Sequence, residues 1–196
     1  MSFTIKAFSG KQAVDYIEEI AALRIEVFRE FPYLYDGSFD YEREYLARYF
    51  KAPDAKIFLV FDGNKSIGVT TSIPLWQEIP EIQKPFTDKG LNVKEYFYFG
   101  ESILQKEYRE KGIGKSFFQY REDEAKKHPD VKFTAFCAVM GRDEHTLKPL
   151  HYKPLNGFWI KSGYVFQPDL YTFLSWKDVD QINETQKKLG FWIKKL

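Results

Sequence analysis

The chain has 196 residues, 44% of them hydrophobic and 29% charged, with a formal net charge of +1. It reads as one folded domain over residues 1–196, with no global field or basic tract to attract nucleic acid. The longest apolar run is far shorter than the roughly 20 residues of a membrane span. The first residues carry no signal-peptide pattern. One cysteine and three histidines leave neither an internal disulfide nor a zinc cluster. The expectation is a cytoplasmic protein without nucleic acid, membrane or metal partners; a homodimer stays open as an assembly.

In chain order, residues 3–8 alternate as a short strand. Residues 11–29 repeat Val14, Ile17, Ile20, Ala21, Ile25 and Phe28 at helix spacing on one face, and Pro32 ends that helix. Residues 31–37 form an aromatic loop, and residues 40–51 a second helix. Residues 56–62 and 66–73 are strands joined by the hairpin signal Asp62-Gly63-Asn64-Lys65. Residues 75–92 contain Pro80, Pro85 and Gly90. They read as an irregular segment with one helical turn from Pro80, long enough for a lid. Residues 94–104 are predicted as one central strand, 113–127 as a helix and 131–140 as a strand. A helical stretch closes over 158–162 with Gly163 as its cap. Residues 170–176 and 188–195 alternate as the last strands. The run Arg121 to Lys127 is mixed in charge and reads as a solvated helix face.

The most informative stretch is residues 104–115. A strand leads into a basic glycine turn, and a helix leads out of it. Such a turn aims backbone N–H groups and a helix dipole at one point, which holds phosphate. Gly112 and Gly114 let an anion approach without a Cβ in the way. Arg109, Lys111 and Lys115 add charge.

The pattern Arg109-x-x-Gly112-x-Gly114 resembles the Arg/Gln-x-x-Gly-x-Gly/Ala turn of the GCN5-related N-acetyltransferases (GNAT family). Leu104 stands for the family's Val and Lys106 for its Pro, while Tyr108 to Gly114 match well. Ser162-Gly163-Tyr164 is similar to the family's Leu-Gly-Phe. Phe31-Pro32-Tyr33-Leu34-Tyr35, Gly100-Glu101-Ser102, Pro154-Leu155, Phe158-Trp159 and Phe191-Trp192 resemble a bacterial branch of predicted acetyltransferases. The resemblance implies an α/β (α+β) fold with a mixed, mostly antiparallel sheet flanked by helices. It implies acetyl-coenzyme A as co-substrate, no metal, and a small-molecule or peptide amine as acceptor. The turn, with Arg109, Glu110, Lys111, Gly112, Ile113, Gly114 and Lys115, would hold the diphosphate. Ser102, Ile103 and Leu104 would hold the pantetheine and thioester, with an N–H, that of Leu104 first, for the oxyanion.

Acetyl transfer needs an amine without its extra proton, since a free alkylamine has a pKa near ~10. Glu101, flanked by Phe97, Phe99 and Ile103, is the candidate base, acting directly or through water. The competing reading is a carboxylate paired with a cation. The family often places an acidic Tyr four residues before the Gly of Leu-Gly-Phe; here Trp159 stands there, and an indole delivers no proton. Tyr152, His145 or no enzymic acid remain. Cys137 reads as a buried core thiol rather than a covalent carrier. Glu26, Phe31, Tyr33 and Tyr35 are candidates for the acceptor wall, suited to a cationic amine, or else they pack on the sheet. The reading of another class is a non-catalytic acyl-CoA-binding regulatory module.

Overall fold

The computed structural model describes residues 3–196. β1 (Phe3–Ser9) pairs antiparallel with β2 (Lys56–Asp62), and the hairpin at Gly63 continues into β3 (Lys65–Pro74). Between β1 and β2 lie α1 (Gly10–Ala13), α2 (Ile17–Phe28) and α3 (Phe39–Lys51). The single helix predicted over 11–29 is thus interrupted by a 3-10 turn, Val14–Tyr16. Its tighter winding brings Tyr16 against Phe8 and Phe61 (5.0 and 5.8 Å between ring centres) and turns Val14 out to solvent.

Residues 75–92 are more ordered than predicted, with α4 (Pro80–Asp88) starting on Pro80 and running through Pro85. Pro85 forfeits one helical hydrogen bond. Burial of Ile82 and of Phe86, which meets Tyr96 and Phe191 edge-on at 4.9 Å, offsets that loss. Then follow β4 (Tyr96–Tyr98), β5 (Ser102–Leu104), α5 (Ile113–Ala125), β6 (Phe133–Val139), α6 (Asn156–Lys161), β7 (Val165–Trp176) and β8 (Thr185–Lys195). The sheet order is β1-β2-β3-β4-β6-β8-β7, with β5 also on β3; among the described residues only β4 and β6 run parallel. No helix among the described residues is long and apolar enough to cross a membrane.

Both faces of the sheet are covered, so β2 and β3 are almost wholly buried. Alternation sorts their side chains. Ile57, Leu59 and Phe61 share a core with Ile20 and Leu46 of the α2–α3 layer, whereas Val60 packs with Ile113 and Phe117 of α5. The mixed-charge run on α5 is not wholly solvated. Arg121, Glu122 and Glu124 are buried, because this side of the helix lies against other elements. Glu122 there accepts from Lys194 (2.8 Å) and from the Tyr164 hydroxyl (3.2 Å).

The central strand predicted over 94–104 is broken, and the break shapes everything that follows. Tyr98 lies opposite Ile73, but Ser102 lies opposite Thr70, so the register slips by one residue. Gly100 and Glu101 together face Thr71: the Thr71 carbonyl accepts from Gly100 N–H, and Thr71 N–H donates to the Glu101 carbonyl, both at 3.2 Å. This is a β-bulge, and it flips the faces beyond it. Phe97 and Phe99 join the core under α5, while Ile103 joins the core under α2 and α3. Glu101 is therefore not flanked by the three apolar side chains that strict alternation implied.

Gly100 is required at this bulge. A Cβ there would lie 2.0 Å from the Tyr49 hydroxyl and 2.7 Å from Thr71 Oγ1. Gly100→Ala is expected to cost about 1–3 kcal/mol of stability in urea unfolding; an unchanged midpoint would contradict this packing.

Candidate active site

Beyond the bulge, β5 leaves its neighbour. Phe99 N–H still reaches the Ala135 carbonyl of β6 at 2.8 Å, but β5 pairs only with β3. The ladder fixes which way its amides point. Gln105 N–H donates to the Ile67 carbonyl (3.0 Å), and residue 101 bonds residue 71. In an antiparallel pair bonded and non-bonded positions alternate, so 103 faces 69 in a bonded pair while 102 and 104 do not bond β3. The N–H groups of Ser102 and Leu104 thus face the open side. The Leu104 carbonyl faces away from β3 as well, where it accepts from Arg109 Nε at 3.0 Å. Ile103 is fully buried and its amide is spent on β3, so of the three predicted β5 residues it alone cannot offer backbone to a ligand.

The glycine turn opens α5. Gly112 is the N-cap residue at φ +85°, and no side chain caps this end. Lys115 and Ser116 N–H both turn back to the Gly112 carbonyl (3.0 and 3.2 Å), leaving the first amides of a 13-residue helix to face outward. Space is open where a Gly112 Cβ would stand, and a Cβ on Gly114 would meet the ring of Phe158 on α6 at 3.5 Å. The turn thus sits beside α6 with a helix dipole behind it. The side chains assigned to this turn are less free than the sequence implied. Arg109 forms a two-pronged pair with Glu30 (2.7 and 3.0 Å), so its guanidinium ties the end of β5 to the loop after α2. Lys111 Nζ donates to the Glu107 carbonyl at 2.6 Å. Glu110 takes φ +62°, and Lys115 is exposed.

A cleft of about 410 Å³ runs along the split, and Glu101, Ser102, Arg121, Tyr152 and Trp159 are among its lining residues. Phe31 and Tyr33 line it too, and Phe31 meets the Tyr152 ring edge-on at 4.6 Å. Among the described residues no group hydrogen-bonds the Tyr152 hydroxyl, and burial raises its pKa, so it stays protonated at neutral pH. Trp159 stands edge-on to Phe136 and Trp192 (5.2 and 5.1 Å), a packing role. Cys137 also borders the cleft; burial pushes its thiol up to about 12, and its sulfur lies 3.1 Å from the Tyr98 hydroxyl.

Glu101 takes the second of its two sequence readings. Its carboxylate pairs with Arg24 of α2, which also pairs with Glu42 of α3, and all three are buried. The other Glu101 oxygen accepts from Thr71 Oγ1 at 3.4 Å. Two of the predicted acceptor residues lie elsewhere. Glu26 accepts from Gln105 Nε2 (2.9 Å) and lines a separate hollow of about 300 Å³ near the β2–β3 hairpin. Tyr35 is buried, bridging to Asp178 and facing Tyr41. Their sequence neighbours Phe31 and Tyr33 reach the cleft because residues 29–36 turn sharply, with Leu34 at φ +54°.

A buried carboxylate holds that wall. Asp178 accepts from Arg142 at 2.7 and 3.0 Å and pairs with Lys187 at 3.3 Å; Arg142 reaches on to the Tyr33 carbonyl at 3.4 Å. His145 and Asp180 lie close by, but the two cations already on Asp178 oppose a metal ion there. Burial raises the Asp178 carboxyl, yet Arg142 and Lys187 hold it below the usual range. A depressed folded pKa gives stability present above the unfolded value, about 3.9, and lost as pH falls through the folded one. Asp178→Asn is expected to lose about 1.5–3 kcal/mol at pH 7. In urea titrations the gap from wild type should close below about pH 4; a gap independent of pH would contradict the pairing.

No protein-family model and no curated protein sequence matches the chain. Solved structures do. NAA60 of Arabidopsis thaliana, in complex with a bisubstrate analogue, superposes with a TM-score of 0.62 at 11% identity, covering 100% of this chain and 99% of that one. The ribosomal-protein-alanine N-acetyltransferase of Brucella melitensis gives 0.61 at 11%, covering 98% and 99%. An acetyltransferase of the GNAT family from Staphylococcus aureus Mu50 gives 0.61 at 13%, covering 100% and 99%. The chain therefore has the fold of the GNAT acetyltransferases, the α/β architecture with a mostly antiparallel sheet that the turn motif implied.

Proposed function

We propose that residues 1–196 form a single acetyl-CoA-dependent N-acetyltransferase domain that transfers an acetyl group to a primary amine of a small molecule or peptide by direct attack in a ternary complex. Two backbone features carry this reading: outward N–H groups on the split strand β5, whose Ser102 lines the cleft, and an uncapped glycine turn opening α5, the helix that carries Arg121 into that cleft. Acetyl-CoA fits both. Its diphosphate suits the amides of residues 112–114, where the space beside Gly112 is open. Its thioester oxygen suits the N–H of Leu104 or Ser102, which stabilises charge developing there without any side chain.

Glu101 acts through position. With Arg24 it fixes the bulge from which β5 diverges, and the amine loses its proton to water in the cleft. Tyr152 is assigned to hydrogen-bond the reacting groups from the acceptor wall, beside Phe31 and Tyr33. These aromatic faces suit an amine carried on an apolar or cationic body. Turnover of acetyl-CoA against a panel of amines, read as free thiol, tests the proposal. Thiol release that requires an amine supports it. Tight CoA binding with no thiol released from any amine would instead favour a regulatory acyl-CoA-binding module.

A further inference from the structure

Arg121 lies on the third turn of α5, is 2% exposed and lines the cleft. Its guanidinium lies over the rings of Phe99 (4.2 Å) and Phe118 (5.0 Å). Nε donates to the Phe117 carbonyl at 3.1 Å and Nη1 to the Glu101 carbonyl at 3.2 Å; Nη2 donates to no protein atom among the described residues. Among the described residues no carboxylate lies within ion-pair distance of it, and Glu122 and Glu101 act on it only from further off. The other buried cations differ: Arg24 faces Glu42 and Glu101, and Lys187 faces Asp178. Burying a charge without a counter-ion is costly, so chains generally pair such groups. Burial lowers Arg121 to about 10, which still leaves it charged at neutral pH.

We infer that Arg121 is a catalytic residue: its guanidinium carries the negative charge that forms on the coenzyme A sulfur when the thioester is cleaved. This rests on the N-acetyltransferase reading above. The amine lone pair forms the nitrogen–carbon bond. The carbon–sulfur bond breaks, and its electron pair goes to sulfur. The proton shed by the amine passes to water, and the thiolate later takes one from water. Among the described residues no strong proton donor stands in this cleft. Trp159 has an N–H that does not ionise at neutral pH, and Tyr152, raised by burial, is a weaker acid than an ordinary phenol. A cation beside the sulfur does what a proton would do. Arg121 stands on the helix that starts at the diphosphate turn, and it touches the carbonyl of Glu101, next to Ser102 on the split strand.

The test needs no turnover. CoA is bound to the intact protein, and its thiol is titrated by thiolate absorbance. The expected wild-type result is a bound thiol pKa below that of free CoA by about one unit or more. Arg121→Met should abolish the shift and Arg121→Lys keep much of it. In turnover, Arg121→Met should lower kcat about 100-fold while CoA affinity holds, and an aryl thioester donor, whose thiolate is a better leaving group, should recover much of the loss. An unshifted wild-type thiol, or an equal shift in Arg121→Met, overturns the assignment. The wild-type titration decides the matter even if the variant fails to fold. If CoA does not bind at all, this inference and the proposed function fall together; if it binds with an unshifted thiol, only the role of Arg121 falls.

Discussion

Arg24→Met is expected to destabilise the fold by about 3–5 kcal/mol, a large share of a typical domain's stability. Among the described residues Arg24 is the only cation paired with both Glu42 and Glu101, which are 0% and 4% exposed. Its guanidinium also stacks on the Tyr45 ring at 3.8 Å. Burial acts to lower its pKa, but Glu101, Tyr45 and Glu42 hold it above the ordinary value, so it is charged at every accessible pH. Removing it leaves two buried carboxylates facing one another across α2, α3 and the bulge.

Those carboxylates will take up protons, so their folded pKa values in the variant rise above the unfolded value of about 4.3. A raised folded pKa gives stability present below the unfolded value and lost as pH rises. The variant should therefore unfold at a higher urea concentration at pH 5 than at pH 8, a trend the Arg24 pair removes from wild type. Combining Arg24→Met with Glu42→Met and Glu101→Gln should recover much of the loss, because whole buried networks are replaced more cheaply than half of one. A small, pH-independent effect of Arg24→Met would mean that the triad is not closed in solution.

Gly112→Val is expected to weaken CoA binding by about 100-fold or more, near 2.7 kcal/mol. Two costs combine. At φ +85° a β-branched residue is strained by about 1–3 kcal/mol. Its side chain also fills the open space beside the uncapped amides. Gly114→Ala supplies the contrast: its Cβ would make ordinary contact with Phe158 at 3.5 Å, and affinity should change little. Titration calorimetry with CoA separates the two. Equal affinities for wild type and Gly112→Val would remove the turn from the binding site.

How far the sequence could be read follows from where each signal resides. The turn at Gly112, the hairpin at Gly63 and the cap at Gly163 are local, and all three glycines take positive φ as their residue type invites. The continuous apolar run of β2 and the helix period in α3 are local too. The bulge is not. It arises because Gly100 lies against Tyr49 and Thr71, residues distant in sequence, and from residue 94 to 104 nothing but that glycine marks the slip. One shifted residue then reassigned Glu101 from an apolar flank to Arg24.

The same limit hid Arg121 in a run that looked solvated, because its burial comes from Phe99 and from the cleft beside it. Nothing in the sequence hinted at this, because Glu124 at i+3 offers Arg121 the partner that a solvated helix face would use. Glu26 and Tyr35 failed as cleft residues for a related reason: proximity in sequence to Phe31 and Tyr33 does not fix direction across a sharp loop.

The central claim is that residues 112–114 and the split edge of β5 together seat one acyl-CoA. The crystal structure of the protein with CoA tests it most directly. The predicted result places diphosphate oxygens about 3 Å from the amides that open α5, with the sulfur in the split beside Ser102 and the Arg121 guanidinium. CoA bound elsewhere, with that turn left to solvent, would contradict the account.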